Sequence, residues 1–399
     1  MKKKLKFTFI FILVPCQLFV CCSDSQNQKR GADSLTFRTY SIDISKVRDA
    51  KIVNLSHLVK NIEYIRLETK SECLLWEATP KFGSNDIFVQ SGGKVYRFDN
   101  SGKFLNTIGI LGKGPGEYIK NYGWVVDEQN KRIYIRSNED KIVVYTFQGN
   151  YYKTFSIPGP ACAALLFRAP NRLDIPITEM PSTYGKPSLV LLVTDMDGNP
   201  IKEYSDSTIG KKLPVGGCPL LFRSADNDLF MPYFSDTVYA VTDKELLPKA
   251  VFSLGSLKYI PERDFNFSAE NPAAYFIAKI VELPKDYLVT LINLGDIKNS
   301  PDFLINKDTG EMICIKPNFD KHTFENDLDG GPEPKNLSFE NDSLLVGYIQ
   351  AIDLIDWVKR EKHLRNPNII KKDQREELVK LASILSENDN PVLVKYILK

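Results

Sequence analysis

The chain has 399 residues, 52 basic against 50 acidic, so it is long enough for one large domain or two ordinary ones, and its balance argues against a nucleic-acid partner held by phosphate charge. Its seven cysteines form no Cys-x-x-Cys pair and its only histidines are His57, His322 and His363. Zinc-ribbon, thioredoxin-like and histidine-rich metal chemistries are therefore unsupported.

Lys2, Lys3, Lys4 and Lys6 precede an apolar run over 7–20 and then Cys21-Cys22-Ser23-Asp24, the layout of an export signal. Pro15 and Gln17 interrupt the run, and a membrane span needs about 20 apolar residues, so cleavage is expected rather than retention. A cysteine at the cleavage point marks a lipoprotein. Cys22, preceded by the small Cys21, is the expected diacylglyceryl acceptor, and the alternative cut at Cys21 would place Leu18 three positions before it and Val20 beside it. Losing the four lysines leaves 48 basic side chains against 50 acidic ones. The expected organisation is a signal over 1–21, a tether and N-terminal extension over 22–50, polar and coreless in its first part, and one domain over 51–399. The mature protein is expected at the envelope of a Gram-negative cell, lipid-anchored, at the outer membrane.

From 60 to 350 the chain is a series of short apolar or alternating runs closed by Gly, Asn, Asp or Pro, the all-β pattern. Turns such as Asn100-Ser101-Gly102, Gln148-Gly149-Asn150, Asp197-Gly198-Asn199 and Asp308-Thr309-Gly310 supply the positive φ that tight hairpins need. Grouped in fours, the runs repeat. The first unit is 76–82, 86–91, 94–99 and 103–109; the second is 122–127, 132–137, 141–147 and 151–157. The third is 162–167, 172–177, 188–195 and 201–204. The fourth is 219–223, 228–233, 237–242 and 247–254, and the fifth 277–283, 287–293, 302–306 and 311–316.

The sixth unit has 336–339, 343–350 and, at the far end of the chain, 392–398, and it lacks a fourth strand. The run at 62–67 supplies it. The spacing therefore predicts an all-β, six-bladed β-propeller closed by strands from both chain ends, which removes open sheet edges. Between the second and third strands of the last unit, 351–387 carries Ile352, Ile355, Trp357 and Val358, then Leu378, Leu381, Ala382 and Leu385, at helical spacing. Two helices are expected there, on the face where the blade-to-blade loops emerge and where function usually lies.

Several segments together resemble a known family: Ile-Arg-Leu-Glu-Thr at 65–69, Gly-Lys-Gly-Pro-Gly-Glu-Tyr at 112–118, Phe-Ser-Asp-Thr-Val-Tyr at 234–239, Asn-Asp-Leu-Asp-Gly-Gly at 326–331 and Asn-Pro-Val-Leu-Val at 390–394. In that order they resemble the six-bladed β-propeller lipoproteins abundant in Bacteroidota-type gut bacteria, related to NHL-repeat propellers. The resemblance spans about 60–399 and implies fold and export. The chain departs from it at Pro332-Glu333-Pro334, where the family runs aromatic-Trp-Pro.

The 112–118 loop lacks the Gly-Lys-Ser/Thr ending of a phosphate loop and is read as a turn between the first two blades, with Lys113, Glu117 and Tyr118 as candidates for the mouth of the ring. Asn326, Asp327 and Asp329 cluster oxygen donors as calcium loops do, without the full ligand spacing, so Asp327 and Asp329 are metal candidates only as an incomplete set. No cofactor is expected, calcium being the one cation the residues suggest. Arg136, Arg223, Tyr233 and Asp236 are placed at equivalent ends of inner strands, where a Tyr suits stacking on carbohydrate or peptide. Cys73, Cys162, Cys218 and Cys314 read as buried thiols. One disulfide suits an oxidising compartment, with no pair selected by spacing. The expected function is a binding or scaffold module for a glycan, peptide or envelope protein. The alternatives are an extracytoplasmic hydrolase or lyase using channel carboxylates, and a partner of an envelope complex through its helices.

Overall fold

The computed structural model describes residues 37–137, 140–157, 166–168, 171–177, 188–206, 219–223, 228–242, 244–260, 274–297, 300–315, 324–341, 343–360 and 368–399. The expected signal over 1–21 and the first part of the expected tether and extension, up to residue 36, lie outside them. The six predicted units are six antiparallel sheets arranged as propeller blades. Blade one is Thr79–Phe82, Asp86–Ser91, Lys94–Asp99 and Phe104–Ile108; blade two is Gly123–Asp127, Arg132–Ser137, Lys141–Thr146 and Tyr151–Ser156. Blade three is Leu166–Arg168, Arg172–Pro176, Ser188–Thr194 and Pro200–Asp206. Blade four is Leu220–Arg223, Asp228–Met231, Thr237–Val241 and Leu246–Ser253. Blade five is Tyr275–Glu282, Asp286–Asn293, Asp302–Asn306 and Met312–Ile315, and blade six is Lys335–Asn341, Leu344–Ile349, Val392–Leu398 and Val59–Arg66.

The middle strands of a blade are covered on both sides by neighbouring blades, so they are apolar without alternation. Ile87, Phe88 and Val89 of blade one and Ile142 to Tyr145 of blade two are all buried. Outer strands such as Tyr151–Ser156 are exposed or half-exposed. The core is thus a set of wedges between blades. Phe88, Val95 and Ile108 meet Trp124, Ile133 and Tyr145 between blades one and two, and Tyr134 and Val144 meet Leu173 and Ile175 between two and three. Each such side chain contributes roughly 1.5–3 kcal/mol on burial.

Neighbouring blades also clasp one another by the turn between third and fourth strands. Glu68 N, just past the outer strand of blade six, donates to Gly102 O of blade one at 2.8 Å, and Gly109 N of blade one donates to Gly149 O of blade two at 3.3 Å. Tyr204 Oη of blade three donates to Thr242 O of blade four at 2.9 Å. Blade five is clasped differently. Arg38–Ser41, inside the stretch expected as an extension, pairs in parallel with Leu246–Ser253 and becomes a fifth strand of blade four. From there Tyr40 Oη donates to Lys307 O at 2.9 Å and Arg38 Nη1 to Asp308 O at 3.0 Å. The chain then passes along the outside of blade five, where Lys51 bridges Ile315. Val53–Asn54 pairs with Phe324–Glu325, and the chain enters blade six as its outermost strand.

Closure of the ring is the expected one: Val392–Leu398 pairs antiparallel with Val59–Arg66. Helices α1 (Ala351–Lys359) and α2 (Lys372–Ser383) occupy the expected insertion. Their buried faces are Ala351, Leu354 and Trp357 on α1 and Arg375, Leu378 and Ala382 on α2. Asp353 near the start of α1 pairs with Lys335 of the inner strand at 2.7 Å. Gln374 of α2 donates to Ile62 O of the outermost strand at 3.2 Å. The pair therefore covers blade six from its inner to its outer strand and joins the wedge it shares with Val281, Leu283 and Leu304 of blade five.

Candidate functional site

Strand polarity sorts the loops. Each second strand returns to the end from which the first strand started, so second-to-third hairpins and blade-to-blade connections share a face. That face carries the 112–118 loop, the 326–331 loop, the Tyr233–Asp236 hairpin and the two helices. Arg223 does not belong to it: it pairs with Asp228 at the turn between first and second strands, the end of blade four opposite Met231. The equivalence expected of Arg223 with Tyr233 fails because successive strands run in opposite directions.

Two further expectations at the mouth are corrected by burial. Arg136 is completely buried, and its Nη1 donates to Pro176 O at 2.8 Å, tying blade two to blade three. Tyr118 is also completely buried. Its ring sits edge-on to Tyr145 at 5.9 Å, and burial pushes its hydroxyl well above the usual tyrosine value. Lys113 remains exposed on the loop and Glu117 half-buried. Glu117 Oε2 accepts from Gly114 N at 2.7 Å, so its carboxylate folds back on the loop, and Gly116 O accepts from Tyr145 Oη at 2.7 Å, which ties the loop to blade two.

Asp327 and Asp329 are likewise engaged by protein donors. Asp327 Oδ1 and Oδ2 accept from Ser56 N and Oγ at 2.8 and 2.5 Å. Asp329, completely buried, accepts from Tyr64 Oη at 2.8 Å, Asn326 Nδ2 at 2.7 Å and Gly331 N at 2.8 Å. Among the described residues no group of three or more His, Cys, Asp or Glu side chains could hold a metal ion. His57 lies in the short helix Leu55–His57; His322 and His363 lie outside the described residues. Cys73 and Cys314 are buried free thiols, and burial pushes Cys314 up to about 11. Cys22, Cys162 and Cys218 lie outside the described residues.

Tyr233 and Asp236 belong to a larger constellation. Tyr233 stacks at a tilt on Phe234 at 3.9 Å, and Phe234 meets Tyr259 at 4.8 Å and Phe276 at 5.3 Å, both edge-on. Asp236 pairs with Lys258 at 3.0 Å. Tyr233, Phe234, Phe276, Asp236 and Lys258 all keep part of their surface open. Phe234 has φ +58°, a left-handed conformation that is costly for a bulky side chain and that persists where the surroundings enforce it. Sequence reasoning found Tyr233 and Asp236 but missed Phe234, Lys258, Tyr259 and Phe276. The doublet Tyr233-Phe234 in a turn was the available signal. The other three come together only when blade five docks on blade four.

Fold and face together define an all-β ring with an aromatic, charge-flanked patch over blades four and five, the architecture of a six-bladed propeller. Residues 39–396 match the family described as domain of unknown function (DUF4934), and the chain belongs to that family. Among solved structures it is similar to a Bacteroides fragilis protein described as exported, at 20% identity over 91% of this chain and 100% of the other, with a TM-score of 0.66. It is also similar to a member of the DUF4221 family from Bacteroides vulgatus, at 10% identity over 86% of this chain and 97% of the other, TM-score 0.46. A third likeness, at 13% identity and TM-score 0.39, covers 63% of this chain and 29% of the extracellular domain of a hybrid two-component system from B. thetaiotaomicron. No curated protein matches the sequence.

Proposed function

We propose that the protein is an extracytoplasmic binding module, lipidated at Cys22 and tethered at the outer membrane, that grips a glycan or peptide on the face over blades four and five. The observation that carries this reading is the partly open group Tyr233, Phe234 and Phe276 beside the Asp236–Lys258 pair, with Phe234 held at φ +58°. Aromatic faces supply contact area at low entropic cost and a flanking ion pair supplies hydrogen bonds. The export signal before Cys22, the family membership and the fold shared with a protein described as exported support the location.

The test is thermal unfolding of the chain without residues 1–34 in the presence of glycan fragments, peptides, calcium or EDTA, since a ligand of the native state raises the midpoint by mass action. One glycan or peptide class should raise it, and Tyr233→Ala should abolish the rise while leaving the unliganded midpoint within a few degrees. A rise that survives Tyr233→Ala, or a panel with no rise, would sink the assignment of this face.

A further inference from the structure

The connection from blade six to blade one keeps its backbone anchored and puts one ring out into solvent. Cys73, Leu75 and Ala78 are buried, and Leu75 N donates to Asn390 Oδ1 at 2.8 Å. Between them Trp76 is 69% exposed, more than any other large apolar side chain among the described residues. An indole left in water forgoes much of the stabilisation its burial would bring. The ring is nonetheless seated. It lies against the turn between the second and third strands of blade one, where Gly92 and Gly93 have φ +56° and +78°. A methyl group at Gly92 would lie 2.6 Å from Trp76 Cζ2, whereas one at Gly93 would meet nothing within 4 Å. Gly92 therefore both takes the left-handed conformation and makes room for the ring.

Polar groups surround this platform. Gly92 N donates to Glu77 Oε1 at 3.4 Å, a long bond that leaves the carboxylate acceptor capacity beside the indole. Gln350, the N-cap residue of α1, donates from Nε2 to Trp76 O. Asp353 follows Gln350 by three residues, so the two share the first turn of the helix. It pairs with Lys335 of the inner strand of blade six, and both side chains are about half exposed.

We propose that Trp76 is the platform of a second binding site, on the same face as the first but over the junction of blades six and one, that takes a neutral oligosaccharide of gluco- or xylo-configured pyranoses. The equatorial hydroxyls of such a ring leave its axial C–H bonds to form flat apolar faces, which stack on an indole while the hydroxyls project from the ring edge toward polar groups. Glu77 accepts from those hydroxyls and Lys335 donates to them. Charge selects a neutral sugar: Glu77 and Asp353 against Lys335 leave one net negative charge around the platform, which disfavours uronates and other anions. A quaternary ammonium calls for a cage of several rings, and among the described residues no second ring contacts the indole. The site shares no residue with the Tyr233–Phe234 group and does not rest on it.

The chain has three tryptophans, and Trp124 and Trp357 are buried, so acrylamide quenching of the intrinsic fluorescence reads Trp76. The probes are cellopentaose, xylopentaose and maltopentaose, with trigalacturonate and choline for comparison. At least one neutral oligosaccharide should protect the indole, bringing wild-type quenching down toward that of Trp76→Phe, in which only the buried tryptophans emit. Calorimetry with the same sugar should give a Kd about tenfold or more weaker for Trp76→Ala. Gly92→Ala, which unseats the ring, should also lose binding. Gly93→Ala should bind as the wild type does; the two glycine variants share the left-handed penalty, so a difference between them is not turn strain. Tyr233→Ala should bind normally, which separates this site from the one over blades four and five. The proposal is overturned by no protection from any neutral sugar, by protection from choline or trigalacturonate equal to that from the sugars, by equal affinities of the two glycine variants, or by loss of binding in Tyr233→Ala.

Discussion

Tyr64 and Asp329, 265 residues apart, are joined by a hydrogen bond of 2.8 Å from the tyrosine hydroxyl to the carboxylate. Tyr64 lies on the strand that closes the ring, and Asp329 in the connection from blade five to blade six. The same carboxylate accepts from Asn326 and Gly331 N, and Arg375 of α2 lies close enough for its charge to be felt. Asp329→Ala would strand at least three donors in the interior, at about 1–3 kcal/mol each. The expected loss is about 3 kcal/mol or more in urea-induced unfolding, with Asp329→Asn losing less because its amide oxygen still accepts. Equal stability of Asp329→Ala and wild type would show that the 326–331 segment is not the joint described.

Two acids on neighbouring blades, Asp174 and Asp228, give the protein a pH-dependent contribution to stability. Asp174 of blade three is completely buried, holds Arg172 at 2.8 Å and lies beside Asp228 of blade four. Burial pushes Asp174 up to about 7, against the pull of Arg172 and with Asp228 adding to the rise. A folded pKa above the unfolded one means the native state binds the extra proton. Stability should therefore rise as pH falls from about 7 toward 4, and fall as pH rises through that window, flattening above it. One such group gives at most about 1.4 kcal/mol per pH unit. Unfolding midpoints of wild type and Asp174→Asn between pH 5.5 and 8 should differ in slope, the variant being flatter; parallel curves would refute the assignment.

The blades were readable because each is a local string of four runs with its own turns, so periodicity alone found them, and the two chain ends found each other through one missing strand. Arg38–Ser41 was not readable. It pairs in parallel with a strand about 200 residues on, which leaves no hairpin turn nearby, and four residues carry little alternation. Arg136 misled for a different reason: a charged residue at a strand end suggests the rim, whereas this one is completely buried and its Nη1 donates to Pro176 O of the next blade. Asn390, within a segment that carried the family resemblance, donates from Nδ2 to Glu68 O and Cys73 O at 2.8 and 2.7 Å, and its Oδ1 accepts from Leu75 N at 2.8 Å. The motif was visible and its role in holding the chain ends together was not.

Glycine substitutions separate the clasp from ordinary turn strain. Gly149 (φ +86°) and Gly310 (φ +71°) occupy equivalent turns. A methyl group at Gly310 meets nothing within 4 Å, whereas at Gly149 it would lie 2.4 Å from Thr107 O of blade one. Gly310→Ala should cost the left-handed penalty alone, about 1–2 kcal/mol. Gly149→Ala should cost clearly more, because a neighbouring backbone must move. Matched losses in the two variants would mean that the turn of blade two is not clasped by blade one in solution.

The N-terminal strand gives the sharpest stability test. Tyr40 is buried, stacks on Phe252 at 5.3 Å, sits edge-on to Tyr287 at 5.7 Å and donates to Lys307 O. Arg38–Ser41 thus extends blade four and holds the turn of blade five. Tyr40→Ala removes a large buried ring and should cost about 3–5 kcal/mol. Tyr40→Phe keeps the stacking and loses one hydrogen bond, about 1 kcal/mol. If the strand opens locally in Tyr40→Ala, trypsin should cut after Arg48 and Lys51 well below the unfolding temperature, and the Phe variant should resist. Equal resistance of the two variants would mean that the strand is held by its backbone pairing with Leu246–Ser253 rather than by the ring.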